Sequence, residues 1–101
     1  MKVRNMTSNR TGRGVANQFI IEVEGRGALG NFITKTAFQS YNSVIAIITE
    51  WPDNTKIELD RNTWDYSVTT GKYRNQFLCE TKKETEAKIK DGTYTLADLN
   101  L

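Results

Sequence analysis

The sequence contains no histidine, one cysteine and one proline. Each scarcity removes something. Without an imidazole, neither a Ser-His-Asp triad nor a Cys-His pair can be built. Zinc sites that use histidine are excluded, and one thiolate cannot cage a metal. Cys79 has no partner for an intrachain disulfide, so nothing points to an oxidising compartment. No run approaches the ~18 apolar residues that a membrane span needs. The polar start, Met1 to Gly14, lacks the apolar core of a signal peptide, and the expected location is cytoplasmic. The acids form no metal loop of the D-x-D-x-D-G kind, and most alternate with polar residues as solvated faces do. The expectation is a protein that is not an enzyme and carries no cofactor or metal.

What is present suits one domain. The 101 residues are 38% hydrophobic and 10% aromatic, enough to bury a core. The net charge of +2 is unevenly spread. Residues 1–21 carry Lys2, Arg4, Arg10 and Arg13 and no acid, residues 42–66 are acidic, and residues 67–92 are basic again. A basic arm and a basic C-terminal region can meet phosphates, although ordinary soluble surfaces share this pattern. The balance does not suit a mimic of DNA, which would be strongly acidic.

Residues 1–14 read as a flexible basic arm, with room for a short strand at Met1 to Met6. Residues 15–101 read as a single α+β domain. Phe19, Ile21 and Val23 alternate with Ile20, Glu22 and Glu24, which is strand periodicity. Gly25-Arg-Gly-Ala-Leu-Gly30 fits the spacing G-x-G-x-x-G. The next residues, Asn31-Phe-Ile-Thr-Lys-Thr-Ala-Phe, are β-branched and aromatic rather than helical, so the glycines read as a hairpin loop and not a dinucleotide fingerprint. A second strand runs from about Asn31 to Ser40. Val44 to Trp51 is a third, on its isoleucine content and length, with a helix capped by Ser43 as the alternative. Pro52-Asp-Asn turns into a partner strand at Lys56 to Leu59. Phe19, Phe32, Phe38 and Trp51 are expected on the buried face.

Past Trp64 the period changes. Tyr73 and Phe77 are spaced i, i+4 on one helical face, with Ser67 or Thr69 as N-cap. The alternative makes Thr69-Thr70-Gly71 a turn between two strands. Thr81-Lys-Lys-Glu84 is a capping box, Gly92 falls at a C′ position, and Cys79 is expected packed at a helix end. Tyr94 to Leu99 is a candidate edge strand. The fold expected is therefore α+β: an antiparallel sheet of about four or five strands with one or two C-terminal helices on one face.

The densest chemistry lies in Trp64 to Arg74. If Ser67, Thr69 and Thr70 open a helix, hydroxyls and free N–H groups converge at its positive end. Gly71 allows close approach, Lys72 and Arg74 add charge, and Tyr73 can stack. With Arg4, Arg10 and Arg13 from the arm, this is a candidate anion or nucleic-acid site. The plainer account comes first: Ser67 and Thr69 cap, Thr70 packs, and Tyr73 and Phe77 fill the core.

Two segments, Ser40-Tyr41-Asn42-Ser43-Val44-Ile45-Ala46 and Tyr66-Ser67-Val68-Thr69-Thr70-Gly71-Lys72-Tyr73, resemble a family of small uncharacterised proteins from phages and other mobile elements. Its patterns are Ser-Tyr-x-Thr/Ser-x-Val/Ile-Ala and Tyr-Ser-x-Thr-Thr-x-Lys/Arg-His. Tyr73 stands where the second places histidine, which leaves packing or stacking but no imidazole chemistry. The resemblance covers about residues 38–78. It implies a phage or mobile-element origin and brings no activity with it. Two functions are expected on these grounds. One is an anti-CRISPR-like inhibitor that binds a host protein or protein–nucleic acid complex in the host cytoplasm. The other is direct binding of DNA, RNA or a phosphorylated nucleotide.

Overall fold

The computed structural model of the protein describes residues 1–26 and 32–100. Its strands are β1 (Lys2–Thr7), β2 (Gly14–Arg26), β3 (Phe32–Ser40), β4 (Ser43–Trp51), β5 (Asn54–Asp60) and β6 (Thr95–Ala97), and its helices are α1 (Val68–Leu78) and α2 (Lys82–Lys90). The six strands form one sheet in chain order. The first five are an antiparallel meander, and β6 returns after the helices to pair in parallel with β5. The fold is α+β, as expected. The sheet has one strand more than expected, and the last strand is parallel because two helices intervene and carry the chain back along the sheet. Gly27–Gly30 of the expected hairpin loop lie outside the described residues. No helix among the described residues is long and apolar enough to cross a membrane.

The expected arm is corrected in part. Lys2–Thr7 pairs with β2 as the edge of the sheet, and Met6 is buried in the core. One inward apolar side chain and a paired backbone suffice to fix a strand whose other residues are exposed. Residues 8–13 form a tight turn, closed by Ser8 N to Arg13 O at 2.8 Å and Gly12 N to Ser8 O at 2.9 Å, with Gly12 at φ +72°.

The helices cover one face only. On that face Met6, Ile20, Phe38 and Ile45 pack against Tyr73, with Phe77 alongside. Ala46, Leu59 and Tyr94 form a second cluster with Trp64, Phe77, Leu78, Ile89 and Leu96 around it. Strand alternation sends the neighbouring side chains to the opposite face, which no described helix covers. There Val3, Ile21, Ala37 and Ile47 stand opposite one another in a single row across four strands. Phe19 and Trp51 lie on this side and are half-buried, so of the four aromatics expected in the core Phe38 is the one the structure places there. The side chain of Phe32 lies outside the described residues.

Both helices begin as their sequences direct. The Ser67 hydroxyl accepts from Thr70 N at 3.1 Å, and Thr81 and Glu84 form the reciprocal capping box. Gly92 has φ +87°, beyond the Asp91 cap. Cys79 is exposed rather than packed, because it caps α1 in the left-handed region at φ 56°, where its side chain turns outward.

Two buried carboxylates lock the C-terminal half. Asp60 accepts from Asn62 N, Thr63 N, the Thr63 hydroxyl and Leu99 N. Glu80, with its side chain 3% exposed, accepts from Thr85, Lys88 and Tyr94 at 2.6, 2.7 and 2.7 Å. Burial would raise the Glu80 carboxyl, but hydrogen bonds from Lys88, Thr85 and Tyr94 outweigh it and hold the group below the ordinary value of 4.5. Asp60 is lowered likewise, its backbone and hydroxyl donors overcoming burial. Tyr94 moves the other way: burial first, then its bond to Glu80, push it up to about 12 from 10.0.

These shifts give stability a plateau. The depressed carboxylates contribute fully above their ordinary values and lose that contribution as pH falls through the folded ones. Tyr94 contributes fully below pH 10.0 and loses its contribution as pH rises towards about 12. Urea midpoints measured across pH should therefore fall at both ends. Tyr94→Phe should cost about 1–2 kcal/mol at neutral pH and flatten the alkaline limb, leaving the acid limb in place. An alkaline limb unchanged in that variant would remove Tyr94 as its cause.

Candidate functional site

The two segments singled out in the sequence meet in space. The hydroxyls of Ser40 and Thr70, both fully buried, share a hydrogen bond of 2.9 Å that docks the start of α1 onto the end of β3. Next to it, Tyr41 turns the chain into β4 at φ 55°, its amide held by Asn17 O at 2.7 Å.

The structure divides the predicted site residues. Ser67 is the N-cap, and Thr69 is exposed in the first turn. Thr70 and Tyr73 are buried, Tyr73 within the core. Arg74 is only 1% exposed. Its guanidinium donates to Trp64 O at 2.7 Å, Asp65 Oδ1 at 3.1 Å and Asn75 Oδ1 at 2.9 Å, and lies 5.2 Å from the Trp64 ring centroid. Arg74 is therefore engaged by the fold rather than presented to solvent. Gly71 faces it: a Cβ there would meet Arg74 Nη2 at 3.6 Å, an ordinary contact. Arg4 stands on the edge strand, paired with Glu22 at 3.4 Å, and borders a cleft of about 310 Å³ with Met6, Ile20, Ile48 and Phe77. Arg13 is exposed in the β1–β2 turn.

Arg10 and Lys72 are brought together. Arg10, with Ser8 and Asn9, forms one wall of a depression of about 670 Å³, and Lys72, Asn75 and Gln76 of α1, with its cap Cys79, form the other. Gln76 Nε2 donates to Thr7 O at 2.6 Å and holds the helix against the turn. A second depression, of about 630 Å³, shares Lys72 and Asn75 and continues past Tyr66, Val68 and Lys82. The two depressions meet at Lys72 and Asn75, so the groove along the outer flank of α1 consists of two adjoining parts.

Asp65 is the acid lining this groove, and it is occupied. Lys82 Nζ reaches it at 2.7 Å, and Arg74 binds its other oxygen. Burial alone would raise the Asp65 carboxyl; the hydrogen bonds from Lys82 and Arg74 overcome that and hold it below the ordinary range. Lys82 is raised in turn, chiefly by its bond to Asp65. Among the described residues, neither Arg10 nor Lys72 has an ion-pair partner. Sequence reasoning passed over Asn75, although its i, i+3 spacing from Lys72 places both on one flank. Nothing local to either residue couples Asp65 to Lys82. No group of three potential metal ligands occurs among the described residues.

The chain belongs to DUF8033, a family of unknown function whose model matches residues 1–92. No curated protein and no solved structure matches it.

Proposed function

We propose that this protein is a non-enzymatic binding protein that engages a host-cell protein through the uncovered face of its sheet. In this reading it is an inhibitor of a host defence system, of the anti-CRISPR kind that the phage resemblance suggests. The observation that supports it is the row Val3, Ile21, Ala37 and Ile47, with Phe19 and Val23 in the neighbouring rows, on a face that no described helix covers. Val3 is 58% exposed and Val23 40%. The rest of the row is half-buried, and a contiguous apolar surface that is partly exposed in this way is of the sort that marks interaction sites. Lys35 lies across from Val23 and has no ion-pair partner among the described residues, which suits a partner whose apolar patch carries an acidic rim.

The test is capture from host lysate with the wild-type chain and with Val3→Glu/Val23→Glu, each checked for folding by circular dichroism. The captured protein, once purified, should bind the wild type and lose tenfold or more of its affinity for the variant, since a central contact contributes about 2 kcal/mol or more. Equal binding by the two chains would sink this face as the interface. A wild-type dimer that the variant splits would reassign the face to self-association.

A further inference from the structure

The groove along α1 is a second surface, on the helix side of the sheet and away from the face just proposed. We infer that it binds the phosphodiester backbone of single-stranded nucleic acid, with Arg10 and Lys72 contacting phosphates and Tyr66 stacking a base. The inference is independent of the protein-binding reading.

Three observations carry it. The first is charge placement. Residues 1–21 and 66–79 contain no acid. The fold lays the turn of the first against the helix of the second, with Arg10 and Lys72 on facing walls. Asp65, the acid at the groove, is taken up by Lys82 and Arg74. Glu80, just beyond the helix end, is taken up by Lys88, Thr85 and Tyr94.

The second is donor orientation. Asn75 Oδ1 accepts from Arg74, so the amide is held with its Nδ2 as the remaining group, and that nitrogen has no partner among the described residues. Lys72 is exposed, its ammonium 5.4 Å from the centre of the Tyr73 ring. The groove thus offers cations and an amide donor, the complement of anionic oxygen acceptors. Its turn wall is set in advance: the Ser8 hydroxyl accepts from Arg10 N at 3.2 Å and from Thr11 N at 3.4 Å.

The third is the aromatic at its far end. Tyr66 is 48% exposed and lines the same groove as Lys72, with Val68 beside it. A ring next to a tracked phosphate backbone is the arrangement by which single strands are held without regard to sequence. A duplex keeps its bases stacked inside and offers no base to this ring.

Fluorescence anisotropy with a labelled oligothymidylate of about 16 nucleotides tests this. With two phosphate contacts, the affinity should fall about sevenfold between about 50 and 200 mM salt, from a slope near −1.4. Arg10→Gln/Lys72→Gln should lose about tenfold or more at the lower salt and most of the salt dependence. Tyr66→Ala should lose about tenfold with the salt slope unchanged. Lys83→Gln/Lys90→Gln, which removes two cations of α2, and Val3→Glu/Val23→Glu, on the other face, should bind as the wild type does. Absence of oligonucleotide binding at the lower salt, or equal losses in the two double-glutamine variants, would overturn the proposal. Competition by polyglutamate as strong as by unlabelled oligonucleotide would overturn it too, by assigning the groove to acidic protein surfaces.

Discussion

Arg74→Met is expected to lower the unfolding free energy by about 2–4 kcal/mol, and Arg74→Lys to lose at least half as much. The guanidinium is nearly inaccessible, and its three bonds tie Trp64 O, Asp65 and Asn75 to the second turn of α1. Hydrogen bonds from a charged donor contribute about 1.5–3 kcal/mol each, and a stranded buried acceptor costs about 1–3 kcal/mol. The gain is not the full sum, because burying the cation is itself costly and its Nε has no partner. Methionine keeps most of the volume but strands the Trp64 carbonyl. Lysine keeps the charge and loses the planar fork that reaches three acceptors at once. Urea denaturation should show a lower midpoint with an unchanged slope. Trp64 fluorescence should change as well, since the guanidinium lies over that ring. A midpoint that stays put in both variants would show that Arg74 is not a clamp, and would return it to the candidates for ligand binding.

Phe38→Ala should cost about 3–5 kcal/mol, a large part of the stability of a domain this size. Phe38 is fully buried at the centre of the sheet, between Ile20 of β2 and Ala46 of β4. Its ring centroid lies 5.7 Å from that of Phe77 on α1, and Phe77 packs against both core clusters. Truncation therefore leaves a cavity at the point where sheet and helix are joined, and rigid strands on either side keep it from closing. Phe38→Leu, which fills most of that space, should cost no more than about 1.5 kcal/mol. Thermal unfolding of the pair checks the ordering. Similar losses in both would mean that the site is loosely packed.

The local elements were legible because their signals are local. Ser67 and Thr81 cap the helices they were expected to cap, and the turn at Trp51 to Asn54 closes the β4–β5 hairpin. What escaped depends on distant partners. Alternation in β2 offers two faces, and only the placement of α1 decides that Ile20 is core and Phe19 is not. Residues 1–14 read as an arm with room for a strand at Met1 to Met6, and what that strand pairs with has no local sign. Arg74 reads as a surface cation, since arginine is rarely buried unless paired, and its partners are a carbonyl, an acid and an amide that no pattern marks. Gln18 is fully buried opposite Ser40 with neither amide atom hydrogen-bonded, and nothing in the sequence sets it apart. Within the proposed groove, Arg10 and Lys72 were both visible as cations. Their meeting was not, because 61 residues lie between them.

The parallel strand β6 also fixes an order of events. Each antiparallel pair from β1 to β5 joins chain neighbours, so the meander can zip up through short loops. The β5–β6 pair joins segments separated by both helices, and is expected to close after the meander. The tail beyond β6 is stitched at two points. The Asn100 side chain donates to Val44 O at 2.8 Å and accepts from Val44 N at 2.7 Å, taking the place of a strand backbone at the β3–β4 irregularity, while Leu99 N binds Asp60. In hydrogen exchange the amides of β6 and of Val44 should therefore open together and ahead of the central strands, as a single unit that leaves the meander intact.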